Sequence, residues 1–192
     1  GGGNNTYIYT SVDSGASWTE RDRAGKKDWT AITSSSDGTK LVATANNSYI
    51  YTSADSGATW ISRTSILGPR YITSSSDGTK LALTSNSYIH TSSDSGATWT
   101  IQMASGSRNW RQITSSSDGT KLAAVVNSGY IYTSADSGVS WTENSSLGER
   151  FWQVIDSSFD GSKLVAAASP GYVYTSADSG ASWLGRTTPG NR

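Results

Sequence analysis

The chain has 192 residues, a length that fits one domain with a core of its own. Its 15 basic and 15 acidic side chains cancel to a formal charge of zero, so the basic face of a nucleic-acid binder is not supplied. Cysteine is absent, which excludes disulfides and thiolate chemistry, and no apolar run approaches the roughly 20 residues that span a bilayer, which excludes membrane insertion of that kind.

Apolar content is 34%, yet there are eight Trp and ten Tyr among many Ser, Thr and Gly. Large aromatics set among turn formers predict an all-β fold of many short strands, and no capped apolar stripe of helical period competes with it. The chain opens Gly1-Gly2-Gly3 rather than on Met, which reads as a processed or trimmed start.

In chain order, the first predicted element is a hairpin over 6–20, turned by Asp13-Ser-Gly15-Ala-Ser-Trp18. A charged link over 20–28 follows. Trp29 to Ser36 is then a first strand, Asp37-Gly38 a turn, and Lys40 to Ala45 a second strand. Asp-Gly between apolar runs is a strong hairpin signal, because Gly takes positive φ at no steric cost. A short Asn/Ser turn leads to a third strand over Tyr49 to Ser53, and a second Asp-Ser-Gly turn reverses the chain into a fourth strand around Thr59 to Ser62. The same succession recurs, giving four-strand units at about 29–62, 69–101, 110–142 and 152–184.

Two markers carry this repeat. Asp-Ser-Gly-x-[Ser/Thr]-Trp occurs five times, at Asp13, Gly15 and Trp18, then at Asp55, Gly57 and Trp60, Asp94, Gly96 and Trp99, Asp136, Gly138 and Trp141, and Asp178, Gly180 and Trp183. Asp-Gly-[Thr/Ser]-Lys-Leu starts at Asp37, Asp77, Asp118 and Asp160 and alternates strictly with it. A period near 40 with four strand-like runs marks the blades of a β-propeller.

Each residue of the first marker has a task. The short carboxylate accepts bonds from the N–H groups that follow it, Gly supplies the backbone angle, and Trp is expected to fold back beneath its own hairpin. Burying one indole removes about 200 Å², worth at most about 5 kcal/mol. Ser and Thr after Ile32, Ile72, Ile113 and Ile155 suit a first strand that lines the crowded central axis.

Ser53-Ala-Asp55-Ser-Gly57-Ala-Thr59-Trp60 resembles the Asp-box (BNR) repeat, and the likeness covers practically the whole chain. The resemblance implies a propeller in which this motif turns the third strand into the fourth. It does not imply one activity, since the family holds sialidases, xyloglucan-cleaving glycosidases, sorting-receptor ectodomains and photosystem assembly factors. Five outer hairpins but four inner ones make four complete blades plus an N-terminal half blade, about five blade positions. A fragment of a larger ring, a ring with a half blade, or self-association through the incomplete blade would each account for that count.

Catalytic signals are few. Nine of the twelve Asp belong to the two turn markers, leaving Asp22, Asp28 and Asp156 with Glu20, Glu143 and Glu149. Asp156 replaces the Thr of the other copies on the first strand, where a buried carboxylate could do acid–base work, but a polar residue among Ser and Thr is the plainer reading. The Arg-Ile-Pro signature of sialidases is missing. His90 stands where other copies have Tyr, and with one His and no Cys there is no metal site; phosphate- and dinucleotide-binding patterns are absent too, so no cofactor is expected. The chain is read as non-enzymatic.

Ligand contacts are expected on the blade-to-blade links 20–28, 62–70, 101–109 and 143–151, which differ most between copies. They carry or adjoin Arg63, Arg70, Arg108, Arg111 and Arg150 beside Trp29, Tyr71, Trp110 and Trp152. Arg forks beside flat rings suit a glycan or a protein partner, with the aromatics serving equally well as core residues that open the first strands. Lectin-like binding through several weak sites leads, and a protein-binding scaffold, a glycosidase fragment and an amplified repeat without a selected ligand are the competing readings.

Overall fold

A computed structural model describes residues 5–46 and 49–186; Gly1 to Gly3 and the Asn47-Ser48 part of the predicted Asn/Ser turn lie outside them. The alternating apolar pattern and Asp-Gly turns fold as antiparallel hairpins. Strands β1 (Ile8–Thr10) and β2 (Thr19–Arg21) form a lone hairpin. The first four-stranded unit is β3 (Trp29–Ser34), β4 (Leu41–Ala45), β5 (Tyr49–Ser53) and β6 (Ile61–Ser65). The second is β7 (Tyr71–Ser74), β8 (Leu81–Thr84), β9 (Ile89–Ser92) and β10 (Thr100–Gln102). The third is β11 (Trp110–Ser115), β12 (Leu122–Gly129), β13 (Ile131–Ser134) and β14 (Thr142–Asn144). The fourth is β15 (Arg150–Ser157), β16 (Leu164–Ala168), β17 (Val173–Ser176) and β18 (Leu184–Arg186). Among the described residues helix is confined to two single turns in the links, Asp22–Ala24 and Met103–Ser105.

Both turns act as predicted. In the Asp55 turn the Thr59 N–H and hydroxyl donate to the carboxylate at 2.8 and 2.6 Å, and Ser53 donates to it at 2.8 Å while accepting the Gly57 N–H. The indole N–H of Trp60 closes on the Gly57 carbonyl at 3.0 Å. Gly57 has φ +85°, and Ser56 before it is also left-handed at +55°, a conformation the Gly alone does not announce. The same bonds hold at Asp13, Asp94, Asp136 and Asp178. Donation from the hydroxyl four residues on, then from its N–H, holds Asp13, Asp55, Asp94 and Asp178 at a pKa of about 2 and lowers Asp136 as well. At the Asp-Gly turns the serine two residues earlier leads, holding Asp37, Asp77 and Asp118 at about 2 and Asp160 below the ordinary carboxylate range.

The units sit side by side through their first strands. Ser36 N–H donates to the Ser76 carbonyl at 2.7 Å, Ser76 to Ser117 at 2.6 Å, and Ser117 to Phe159 at 2.7 Å. Small hydroxyl residues let these backbones approach, as the Ser/Thr runs foretold. Apolar side chains fill the spaces between units, in clusters that join Val42 and Ile50 to Ile72 and Leu83, and Ala123 and Val125 to Ile155 and Leu164.

One expectation fails in part. Trp183 is only 8% exposed, and Trp60, Trp99 and Trp141 are half-buried, but Trp18 is 63% exposed. All five indoles make the bond to their own turn. Burial needs more: each buried ring rests on inner hairpins, and the Trp18 hairpin has no inner hairpin of its own among the described residues.

Candidate functional site

The links end where the first strands begin, so this end of each unit collects the most variable side chains. At Trp29/Ala31, Trp110/Gln112 and Trp152/Val154 the register slips by one residue, a β-bulge. A bulge re-aims the extra residue. The Trp turns into the core, and the residue after it (Thr30, Arg111 or Gln153) is left for the end of the innermost strands. In the second unit Pro69 stands at the Trp position, and Arg70 occupies the position after it, ahead of β7. Thr30, Arg70, Arg111 and Gln153 therefore form a row across four neighbouring strands.

Arg111 Nη2 donates to Gln153 Oε1 across the unit boundary at 3.3 Å, and its Nε is buried without an intramolecular partner. Arg70 Nε donates to Asn86 Oδ1 at 3.1 Å. Neither guanidinium is in a salt bridge among the described residues.

Outside the row stands a repeated stack. Lys27 lies 4.8 Å over the Tyr51 ring, Arg108 4.6 Å over Tyr132 and Arg150 5.0 Å over Tyr174. Each Tyr meets the Trp two residues beyond its cation edge-on, at 5.3, 5.1 and 5.3 Å. Arg108 also donates to Tyr132 Oη at 2.7 Å, and Tyr132 donates to Glu143 at 2.6 Å with Glu143 3.8 Å from Arg108. Burial and the Glu143 bond raise the Tyr132 pKa, so this hydroxyl stays protonated.

The structure sorts the candidates. Arg70 and Arg111 stand at one repeat position in neighbouring units, and Arg108 and Arg150 cap the stacks. Trp110 and Trp152 are wholly buried, so their rings are core, and Trp29 is a half-buried member of the same stack. Tyr71 pairs with Thr84 as Ala31 pairs with Thr44, and Pro69 stands at the Trp position of this unit. Arg63 leaves the link end altogether: its Nε donates to Thr52 Oγ1 at 2.9 Å, a cross-strand tie repeated by Arg21–Thr10 and Arg186–Thr175. Asp156 is exposed rather than buried, accepting from Thr114 at 3.3 Å and from the Ser157 N–H at 2.8 Å. His90 is buried, 3.3 Å from Ser85, and burial lowers its pKa. No cluster of three or more His, Cys, Asp or Glu able to hold a metal occurs among the described residues.

Sequence reading missed Lys27, Gln153 and the three stacked Tyr. The recurring signal was there, a cation two residues before each Trp and a Tyr in the third strand, but its meaning rests on strand pairing.

Four-stranded antiparallel units joined along their first strands define a β-propeller fold. No family model and no curated protein matches the chain. Among solved structures it is similar to YCF48 bound to a D1 peptide, at 19% identity and TM-score 0.70 over 95% of this chain and 62% of that one. It is also similar to the GH74 xyloglucanase from Xanthomonas campestris, at 13% identity and TM-score 0.75 over 96% of this chain and 34% of that one. A nidogen/laminin complex gives TM-score 0.67 at 16% identity, over 88% of this chain and 66% of that one. The chain thus spans under two thirds of the first two, and at these identities the likeness is one of fold.

Proposed function

We propose that the chain is a non-enzymatic interaction module that holds an acidic peptide segment of a partner protein at the link end of its innermost strands. The observation that carries this is the recurrence of Arg at one repeat position, Arg70 and Arg111, without carboxylate partners among the described residues and with Arg111 tethered to Gln153. A planar fork with free N–H donors matches carboxylates and carbonyl oxygens of an extended chain. Similar structures that include YCF48 with a D1 peptide and nidogen with laminin support a protein as the ligand.

At the link end a peptide fits these side chains better than a glycan does. A sugar needs an open aromatic face, whereas Trp110 and Trp152 are buried and the Tyr51, Tyr132 and Tyr174 rings are covered by cations. A glycosidase needs two positioned carboxylates. Nine of the twelve Asp are held in turns, and Asp156 lies exposed between hydroxyl neighbours. Fluorescence anisotropy with a labelled acidic peptide should show saturable binding that weakens with salt. Binding should fall at least about tenfold in Arg70→Glu and in Arg111→Glu, one removed charge-assisted bond being worth about 1.5–3 kcal/mol. Equal affinity for wild type and both variants, or xyloglucan turnover lost in Asp156→Asn, would reject the reading.

A further inference from the structure

The residue ahead of the Trp position differs in every unit: Asp28, Gly68, Asn109 and Phe151. Phe151 is 56% exposed, although its neighbour Trp152 is wholly buried. Asn109, with a complete unit on either side, is exposed as well, so this position opens to solvent in the interior of the array. A single exposed apolar side chain is ordinary on a protein surface. What sets Phe151 apart is how it is held and what it is held to.

Strand β12 is eight residues long, against five in β4 and four in β8, and its extra end pairs with β15 of the next unit. There Asn127 lies opposite Phe151 and Gly129 opposite Arg150. Among the described residues no other boundary has strands of neighbouring units paired in this way. The Phe151 carbonyl accepts the Ser169 N–H at 2.9 Å and Gln153 Nε2 at 3.3 Å. Gln153 Oε1 in turn accepts Arg111 Nη2 at 3.3 Å. On the other side of β12, Val126 pairs with Trp110, the residue before Arg111. Arg111, Gln153 and Phe151 are thus joined in one short run of contacts across the boundary. Three partners fix the Phe151 backbone while its ring stays open, the arrangement of a preorganised anchor.

We infer that Phe151 sets the specificity of the peptide surface, seating a large apolar side chain of the partner beside the acidic residue that Arg111 and Gln153 hold. The inference rests on the acidic-peptide reading and adds a second requirement to it. A guanidinium fork accepts any carboxylate. The ring adds apolar area that sheds water only against another apolar group. Asp28, Gly68 and Asn109 offer no such ring, so the apolar residue belongs at the fourth-unit end of the bound segment. A sugar is the poorer occupant, since it would set hydroxyls against a cation better matched to a carboxylate.

The test is fluorescence anisotropy on the full 192-residue chain with two sets of labelled peptides, each carrying one Glu-Glu pair among Gly and Ser. One set places a Phe at successive positions on either side of the pair, and the other has Ala there. At least one Phe position should bind about tenfold tighter than its Ala counterpart, as covering one aromatic ring implies. Phe151→Ala should reduce that gain to less than about twofold, and Phe151→Leu should keep most of it. Neither variant should change binding of the Ala set. No gain from Phe at any position, or a gain undiminished in Phe151→Ala, would overturn the inference, and so would displacement of the peptide by cellotetraose. Binding of the Ala set that Arg111→Glu weakens, with no gain from Phe, would remove this inference and leave the acidic-peptide reading standing. Saturation by neither set would remove both.

Discussion

The N-terminal hairpin and the fourth unit carry one turn in two settings. Asp13 and Asp178 accept the same two bonds from Ser17 and Ser182, and Trp18 and Trp183 both close on their glycine carbonyls at 3.1 Å. Yet one indole is 63% exposed and the other 8%. Trp183 packs among Ala123, Val125, Leu164 and Ala166, which belong to the inner hairpins of its own and the preceding unit. Among the described residues the hairpin at Trp18 has neither beside its indole. The turn is therefore a local device, and the plug is a property of the array.

Acid should erase the contrast by attacking what both regions share. Nine turn carboxylates have lowered pKa values, so their contribution is complete above the unfolded value near 4 and is lost as pH falls through about 2. Circular dichroism between pH 5 and 1.5 should show cooperative loss of sheet in that window, and an unchanged urea midpoint down to about pH 2 would refute it. Trp183→Ala should next cost about 3–5 kcal/mol and Trp18→Ala less than about 0.5, read as urea midpoints. Equal losses would mean the inner hairpins do not bury the ring.

A finer cut uses two glycines with one backbone. Gly38 and Gly119 have φ of 71° and 69°, so alanine strains both alike by roughly 1 kcal/mol. At Gly119 the new methyl would also stand 2.7 Å from Lys80 Cβ, and at Gly38 it would meet nothing. Gly119→Ala should thus lower the midpoint measurably more than Gly38→Ala. The smallest difference is expected between Asp13→Ala and Asp178→Ala, whose local bonds are alike; each shift should fall below that of Gly119→Ala, and a far larger loss at Asp178 would show that the turn itself depends on burial.

Strand order, both turn types and the small innermost side chains were legible in the sequence because each rests on a few adjacent residues: Asp-Gly for one reversal, Asp-Ser-Gly-x-Thr-Trp for the other, Ser/Thr after Ile for the close approach of backbones. The link end was legible only as a list of Arg and aromatic residues. Bulges one residue long decided which of them turn inward. Thus Trp110 went to the core while Arg111 went to the row.

What the sequence determined by itself is the repeated hairpin, since its bonds close within about six residues and recur wherever the string recurs. Only the tertiary structure decided which copies are buried and which side chains meet across the unit boundaries, because burial and pairing depend on neighbours some 40 residues away in the chain.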